Sequence, residues 1–192
     1  MDMPAEVTRL ASRLSRPTES TLPLSYRESA VLVILFPGAD GPALLLTERP
    51  HSLSRHPEQV SWPGGGQEPG DAGLHATAMR ETREELGCSV GHLSILGSLD
   101  LVDVGVSRYR ITPFVAWSPL RLDLSPDPAE VASVLEVSLH TLLDPASRHQ
   151  ETWETRGESR QVALYRFGEY AVWGATARIL GDLAQRLTEV VS

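Results

Sequence analysis

Glu81, Glu84 and Glu85 stand at positions i, i+3 and i+4 of the stretch Arg80–Gly87. At about 3.6 residues per turn these side chains leave the same side of a helix, where like charges repel unless a cation lies among them. Met79, Thr82 and Leu86 fall roughly opposite on the same wheel, so the pattern predicts a helix with one packed side and one side left for chemistry. Asp71 is placed to cap that helix and Gly87 to end it after Leu86. The preceding run Gly64–Gly66 lacks Cβ atoms and lets backbone approach a ligand closely. Hard carboxylate oxygens beside such a loop suit a bound polyphosphate and a divalent cation, Mg2+ or Mn2+.

Composition narrows what else the chain can be. Its 192 residues, 41% of them hydrophobic, suffice for one domain with a substantial core and are short for two. A net charge of -8 argues against nucleic acid or an anionic membrane as partner, so a phosphate-bearing small molecule must be gripped locally. All 17 basic residues are Arg, which excludes Schiff-base chemistry and a P-loop lysine and leaves guanidinium forks for phosphate. The lone Cys88 forms neither an intramolecular disulfide nor a cysteine zinc cluster. The apolar run Ala30–Phe36 is too short to span a bilayer, and Asp2 and Glu6 interrupt any secretory signal. These features predict a reducing, cytoplasmic setting.

Apolar spacing at Val7, Leu10, Ala11 and Leu14 predicts an N-terminal helix over 6–14, followed by a linker at 16–23; residues 1–27 read as an appendage to a domain at 28–192. Ala30–Phe36 and Ala43–Thr47 predict a hairpin about the turn residues 37–42. Residues 50–70 hold Pro, Gly and polar side chains without periodicity, as a long functional loop does. Further strands are expected at 93–102, 109–117, 131–139, 152–156 and 161–167, with a Pro-rich connection at 118–128 and an amphipathic helix over 172–191.

The order Gly65, Asp71, Arg80, Glu81, Glu84, Glu85, Gly87 resembles the signature of the Nudix hydrolases: Gly, an acid six residues on, Arg-Glu, two spacers, Glu-Glu, one spacer, Gly. Here the first acid is Asp instead of Glu, and eight residues instead of seven separate it from Arg80. Upstream, Leu45–Arg49 reads Leu-Leu-Thr-Glu-Arg, and His56, Gln59, Val60, Pro63, Gly64 and Gly65 follow. This is similar to the motif of the coenzyme A pyrophosphatases within that family, whose pattern prefers Arg at Ser54, Gly at Glu58 and Phe at Trp62. Arg55 offers a guanidinium one position on, and Trp62 keeps the aromatic character. Trp173–Leu180 resembles the start of the subfamily's last helix.

The resemblance implies an α/β fold, a Nudix-type α/β/α sandwich around a mixed β-sheet in a single domain. It implies metal ligation by Glu81, Glu84, Glu85 and the Gly65 carbonyl, with Arg80 orienting the glutamates. Glu84 serves either as the third ligand or as the residue that deprotonates water, with Glu151, Glu154 or Glu158 in a distant loop as the alternative base. Arg49, Arg55, His56, Gln59 and Gly64 are candidates for substrate contact, and packing roles in the loop remain open for Arg49, His56 and Gln59. The implied reaction splits coenzyme A or its derivatives into adenosine 3′,5′-bisphosphate and 4′-phosphopantetheine. Alternatives are a Nudix pyrophosphatase for ADP-ribose or NADH, and a nucleotide-binding module without hydrolysis.

Overall fold

A run that is apolar at every position fits a strand covered on both faces. In the computed structural model, which describes residues 2–15, 25–51, 59–155 and 158–188, Ala30–Phe36 is the middle of strand β1 (Arg27–Gly38), buried at every position but Val31. β1 turns back into β2 (Gly41–Glu48), as the hairpin pattern predicts, with Gly41 at φ +102° supplying the positive φ of the turn. On its other side β1 runs parallel to β7 (Tyr109–Trp117), from Arg27↔Tyr109 to Leu35↔Trp117. The sheet proceeds β3 (Val60–Ser61), β2, β1, β7, β5 (Ser94–Ser98). Antiparallel to these, β4 (Gly64–Gly66) joins β1, β6 (Val102–Val104) joins β7, and β8 (Ser133–Ser138) joins β2. Parallel and antiparallel pairings together make the sheet mixed.

Strand alternation sends successive side chains to opposite faces. Leu32, Ile34, Phe36, Ala43 and Leu45 pack with Ala78 and Leu86 of α2 (Leu74–Leu86). Val33, Leu35, Leu44 and Leu46 pack on the other side with α1 (Ala5–Ala11), α3 (Leu139–Leu143) and α4 (Gly174–Thr188). The expected α/β/α sandwich is borne out. Beside it, β9 (Arg148–Thr155), β10 (Glu158–Phe167) and β11 (Tyr170–Val172) form a separate antiparallel sheet that holds the strands expected near 152–156 and 161–167. The strand expected at 93–102 divides into β5 and β6, with a register shift between Ile95 and Gly97. Among the described residues no helix is long and apolar enough to cross a membrane.

The N-terminal helix is no appendage. Val7 and Leu10 are fully buried in the cluster that contains Leu180 and Leu183 of α4. Beyond it, Arg13 Nη1 donates to the Arg186 carbonyl at 3.1 Å, Arg186 Nη1 donates to the Arg13 carbonyl at 2.6 Å, and Ser15 bridges to Ser98. Two apolar positions three residues apart share one helix face and find cover against α4 and the sheet. Leu10→Ala should therefore lower stability by about 2–5 kcal/mol, the range for a buried leucine truncated in a packed core, measured by urea denaturation. An effect below about 0.5 kcal/mol would return α1 to the status of an accessory.

Candidate active site

α2 starts at Leu74 behind Gly73 (φ +110°) and has no side-chain cap, so the capping role expected of Asp71 is corrected. Its carboxylate is engaged elsewhere. It accepts Arg80 Nε at 3.0 Å, Arg80 Nη2 at 3.1 Å, the Thr77 hydroxyl at 2.9 Å and the Glu68 N–H at 2.9 Å. The Arg80 fork, and then the Glu68 N–H, hold the Asp71 carboxyl far below the usual carboxylate range, so it stays an anion. The extra residue between Asp71 and Arg80 does not break this pairing, because residues 71–73 precede the helix and absorb it.

Arg80 has little left to offer a substrate. Its Nη1 lies 3.0 Å from Glu84 Oε2 and 3.0 Å from Glu81 Oε1, and its Nη2 also donates to the Gly66 carbonyl at 3.2 Å. It joins Asp71, the glycine loop and two glutamates. The other end of α2 is closed by the Pro-rich connection. Ser125 N–H donates to the Leu86 carbonyl and Asp127 N–H to the Glu85 carbonyl, each at 2.9 Å, satisfying carbonyls a helix end leaves open. Gly87 at φ +59° permits that approach, since a Cβ there would stand 2.1 Å from the Ser125 oxygen.

The glutamates do not share one free face. Glu84 is 50% exposed and Glu81 18% at the side chain, whereas Glu85 is only 5% exposed. Glu85 Oε2 accepts the Gly64 N–H at 3.3 Å. Burial pushes the Glu85 carboxyl up to about 8; the Gly64 N–H and the Arg49 charge oppose the shift, and Glu81 and Glu130 add to it. Burial likewise raises Glu81, with Arg80 opposing. The glycine loop is fitted to these groups. A Cβ on Gly65 would fall 2.5 Å from the Glu81 carboxyl carbon, and a Cβ on Gly64 (φ +147°) would fall 2.3 Å from the Ala30 oxygen.

Among the described residues no three acidic, imidazole or thiol groups are already gathered around one point. The donor set still fits a hard divalent cation. Arg80 and Gly64 engage one oxygen on each glutamate, leaving Glu81 Oε2, Glu84 Oε1 and Glu85 Oε1 without a partner among the described residues. A desolvated carboxylate whose one hydrogen bond among the described residues is a 3.3 Å backbone contact is the kind of group that a cation would satisfy.

The remaining candidates are placed as follows. Arg49 follows β2, donates its N–H to the Gln59 carbonyl at 3.1 Å, and reaches Glu85 with its charge. Gln59 Nε2 lies 4.0 Å from where a Gly174 Cβ would stand. Arg55 and His56, with Ser54 and Glu58, lie outside the described residues. Glu151 and Glu154 sit on a strand, not in a loop, and are engaged: Glu151 by Arg166 Nη2 at 2.5 Å and Trp153 Nε1 at 3.0 Å, Glu154 by the Ser159 hydroxyl. Glu158 opens β10, and its side chain lies outside the described residues. The carboxylate from outside α2 whose charge acts on both Glu81 and Glu85 is Glu130, which sequence reasoning missed. Its only trace in the sequence is an acidic residue just past Pro126 and Pro128. A cleft of about 450 Å3 opens elsewhere, between the β1–β2 turn, β8 and the β10–β11 turn, and contains none of these residues.

A family model described as the NUDIX domain matches residues 26–159. A protein of Enterobacter sp. (strain 638), named as an uncharacterized Nudix hydrolase NudL, is 37% identical over 175 residues, covering 91% of this chain and 90% of its own. One of the same name from Cronobacter sakazakii is 36% identical over 188 residues, 97% of each chain. Among solved structures, a MutT/nudix family protein from Enterococcus faecalis superposes with a TM-score of 0.55 at 15% identity, covering 98% of this chain and 70% of that one. A NUDIX hydrolase from Alicyclobacillus acidocaldarius gives 0.53 at 16%, covering 86% and 94%. These two speak for the fold alone. Nudix hydrolases generally use divalent metal ions and act on small nucleotides. Its match to the NUDIX model and its full-length kinship with these relatives mean that the chain belongs to the Nudix hydrolase family.

Proposed function

We propose that the protein hydrolyses the diphosphate bond of coenzyme A or a coenzyme A derivative, releasing adenosine 3′,5′-bisphosphate and 4′-phosphopantetheine. The supporting observation is that the upstream stretch and the signature helix converge on one carboxylate: Gly64 donates to Glu85 and Arg49 acts on it electrostatically. This supports reading the upstream motif and the signature helix as parts of one site.

In this reading Glu81, Glu85 and the Gly65 carbonyl hold Mg2+ or Mn2+, with Glu130 as a further carboxylate at the site. When bound, the cation would neutralise the diphosphate and lower the pKa of the attacking water. Glu84, the most exposed of the three helix glutamates, accepts the proton of that water through its unengaged Oε1 as the water oxygen attacks phosphorus and the bridging P–O bond breaks. Arg80, fully engaged by Asp71, Glu81, Glu84 and Gly66, keeps the glutamates in register and does not touch substrate. Arg49, Gln59 and Gly64, with Arg55 and His56 from the same motif, contact the nucleotide.

The test is a panel of coenzyme A, acetyl-coenzyme A, oxidised coenzyme A, ADP-ribose and NADH with Mg2+ or Mn2+, products identified by mass spectrometry. A coenzyme A species is expected to give the highest kcat/KM. A preference for ADP-ribose or NADH by more than about tenfold, or ~1.4 kcal/mol in transition-state stabilisation, overturns the assignment. Binding with no product over long incubation would instead make the protein a nucleotide-binding module.

A further inference from the structure

Tryptophan is large and apolar, and a folded chain gains by covering it. Two of the four tryptophans here obey that rule, Trp62 at 2% and Trp117 at 4% exposure. Trp153 and Trp173 do not. Both are only partly covered, and they meet edge to face, ring centroids 5.3 Å apart and planes at 72°. They come from separate elements, Trp153 from β9 and Trp173 from the turn between β11 and α4.

The pair is braced. Trp153 Nε1 donates to Glu151 Oε2 at 3.0 Å, which fixes the indole, and Arg166 neutralises Glu151 through its other oxygen at 2.5 Å. A nucleotide arriving there would not meet a bare carboxylate. The pair is also tied to the upstream motif. A Cβ on Gly174, next to Trp173, would stand 4.0 Å from Gln59 Nε2, and the Thr176 hydroxyl donates to the Val60 carbonyl at 3.1 Å. Gln59 in turn accepts the N–H of Arg49, whose charge reaches Glu85. The start of α4, next to Trp173, is thus hydrogen-bonded to the upstream segment at Val60, beside Gln59.

We propose that Trp153 and Trp173 form the surface on which the adenine ring of the nucleotide stacks, making them specificity-determining residues at the far end of the site. The proposal rests on reading that site as a diphosphatase for adenine nucleotides. A flat, polarisable ring in a partly exposed aromatic corner gains stacking contact that pantetheine, a flexible amide chain, does not.

The experiment titrates the protein, with Mg2+ present, against AMP, adenosine 3′,5′-bisphosphate and 4′-phosphopantetheine, followed by tryptophan fluorescence and calorimetry. Trp62 and Trp117 are buried, and the share of the quench that Trp153→Phe removes is assigned to the pair. AMP and adenosine 3′,5′-bisphosphate are expected to quench, and 4′-phosphopantetheine is not. Trp153→Ala should weaken both adenine ligands by about tenfold while sparing 4′-phosphopantetheine, and Trp153→Phe should retain most of the affinity. In turnover of coenzyme A, Trp153→Ala should raise KM and leave kcat within about twofold. Absence of quenching by AMP, equal loss for 4′-phosphopantetheine, or a Phe variant as impaired as the Ala variant overturns the proposal. A panel result favouring ADP-ribose would remove the coenzyme A reading yet leave the AMP response in place, so the two failures are distinguishable.

Discussion

Replacing Glu85 by glutamine is expected to reduce kcat/KM by about 10²-fold or more, upwards of ~2.7 kcal/mol in transition-state stabilisation, while making the metal-free protein more resistant to heat above pH 8. The two effects share a cause. Glu85 is 5% exposed, and its carboxyl titrates at about 8 because burial strips water from the charged form. Its folded pKa lies above the ordinary carboxylate value, so its contribution to stability is fully present below about pH 4.5 and is lost as pH rises through about 8. Above that pH the metal-free fold carries an uncompensated buried charge, a penalty on the order of 3 kcal/mol.

Glutamine keeps the shape and can still accept the Gly64 N–H, but it has no charge to bury. The wild type should therefore melt at falling temperature between pH 6 and 9 without metal, and Mg2+ or Mn2+ should restore it most at the alkaline end. Glu85→Gln should show a flatter pH profile and little metal response. Calorimetric scans at pH 6 and pH 9, with and without the cation, decide the matter. Equal metal stabilisation of variant and wild type would remove Glu85 from the ligand set.

Alanine substitutions at two adjacent glycines should part activity from stability. At Gly64, φ is +147° and an added Cβ would lie 2.3 Å from the Ala30 oxygen and 2.6 Å from Val31 Cα. Those are backbone atoms of β1 that cannot yield without opening the β1–β4 pairing, so Gly64→Ala should lose several kcal/mol of stability, on the order of 3. At Gly65 the added Cβ meets the Glu81 carboxyl group at 2.5 Å, the end of a side chain that can swing aside. Gly65→Ala should melt within a few degrees of the wild type and lose about 10²-fold in kcat, because its cost is the position of Glu81. Urea denaturation and steady-state kinetics on the two variants check the contrast. The same damage to both properties in both variants would contradict it.

Much of the architecture was legible because it is written in short-range patterns. The unbroken apolar run of β1, the hairpin into β2 and the amphipathic spacing of α4 announce themselves within a few residues. So did Arg80–Gly87, whose spacing is set by helix geometry. What local pattern could not supply is which partner each group finds. Asp71 looked like a helix cap because it precedes α2, yet Arg80, nine residues on, outcompetes the helix N–H groups with a charge-assisted fork. Val7 and Leu10 looked like the face of an appendage because their cover, α4, lies at the other end of the chain.

The sequence by itself determined that Glu81, Glu84 and Glu85 fall on one helix and that they belong to a Nudix signature, because i, i+3 and i+4 spacing is a property of the chain alone. Only the tertiary structure decided that the three carboxylates are unequal. Glu85 lies beneath a glycine loop 21 residues upstream, Glu81 is backed by Gly65 and bridged by Arg80, and Glu84 stays open to water. Glu130 joins them because the Pro-rich connection must close the end of α2. Desolvation depends on what covers a group, and the loop that covers Glu85 comes from a distant part of the chain.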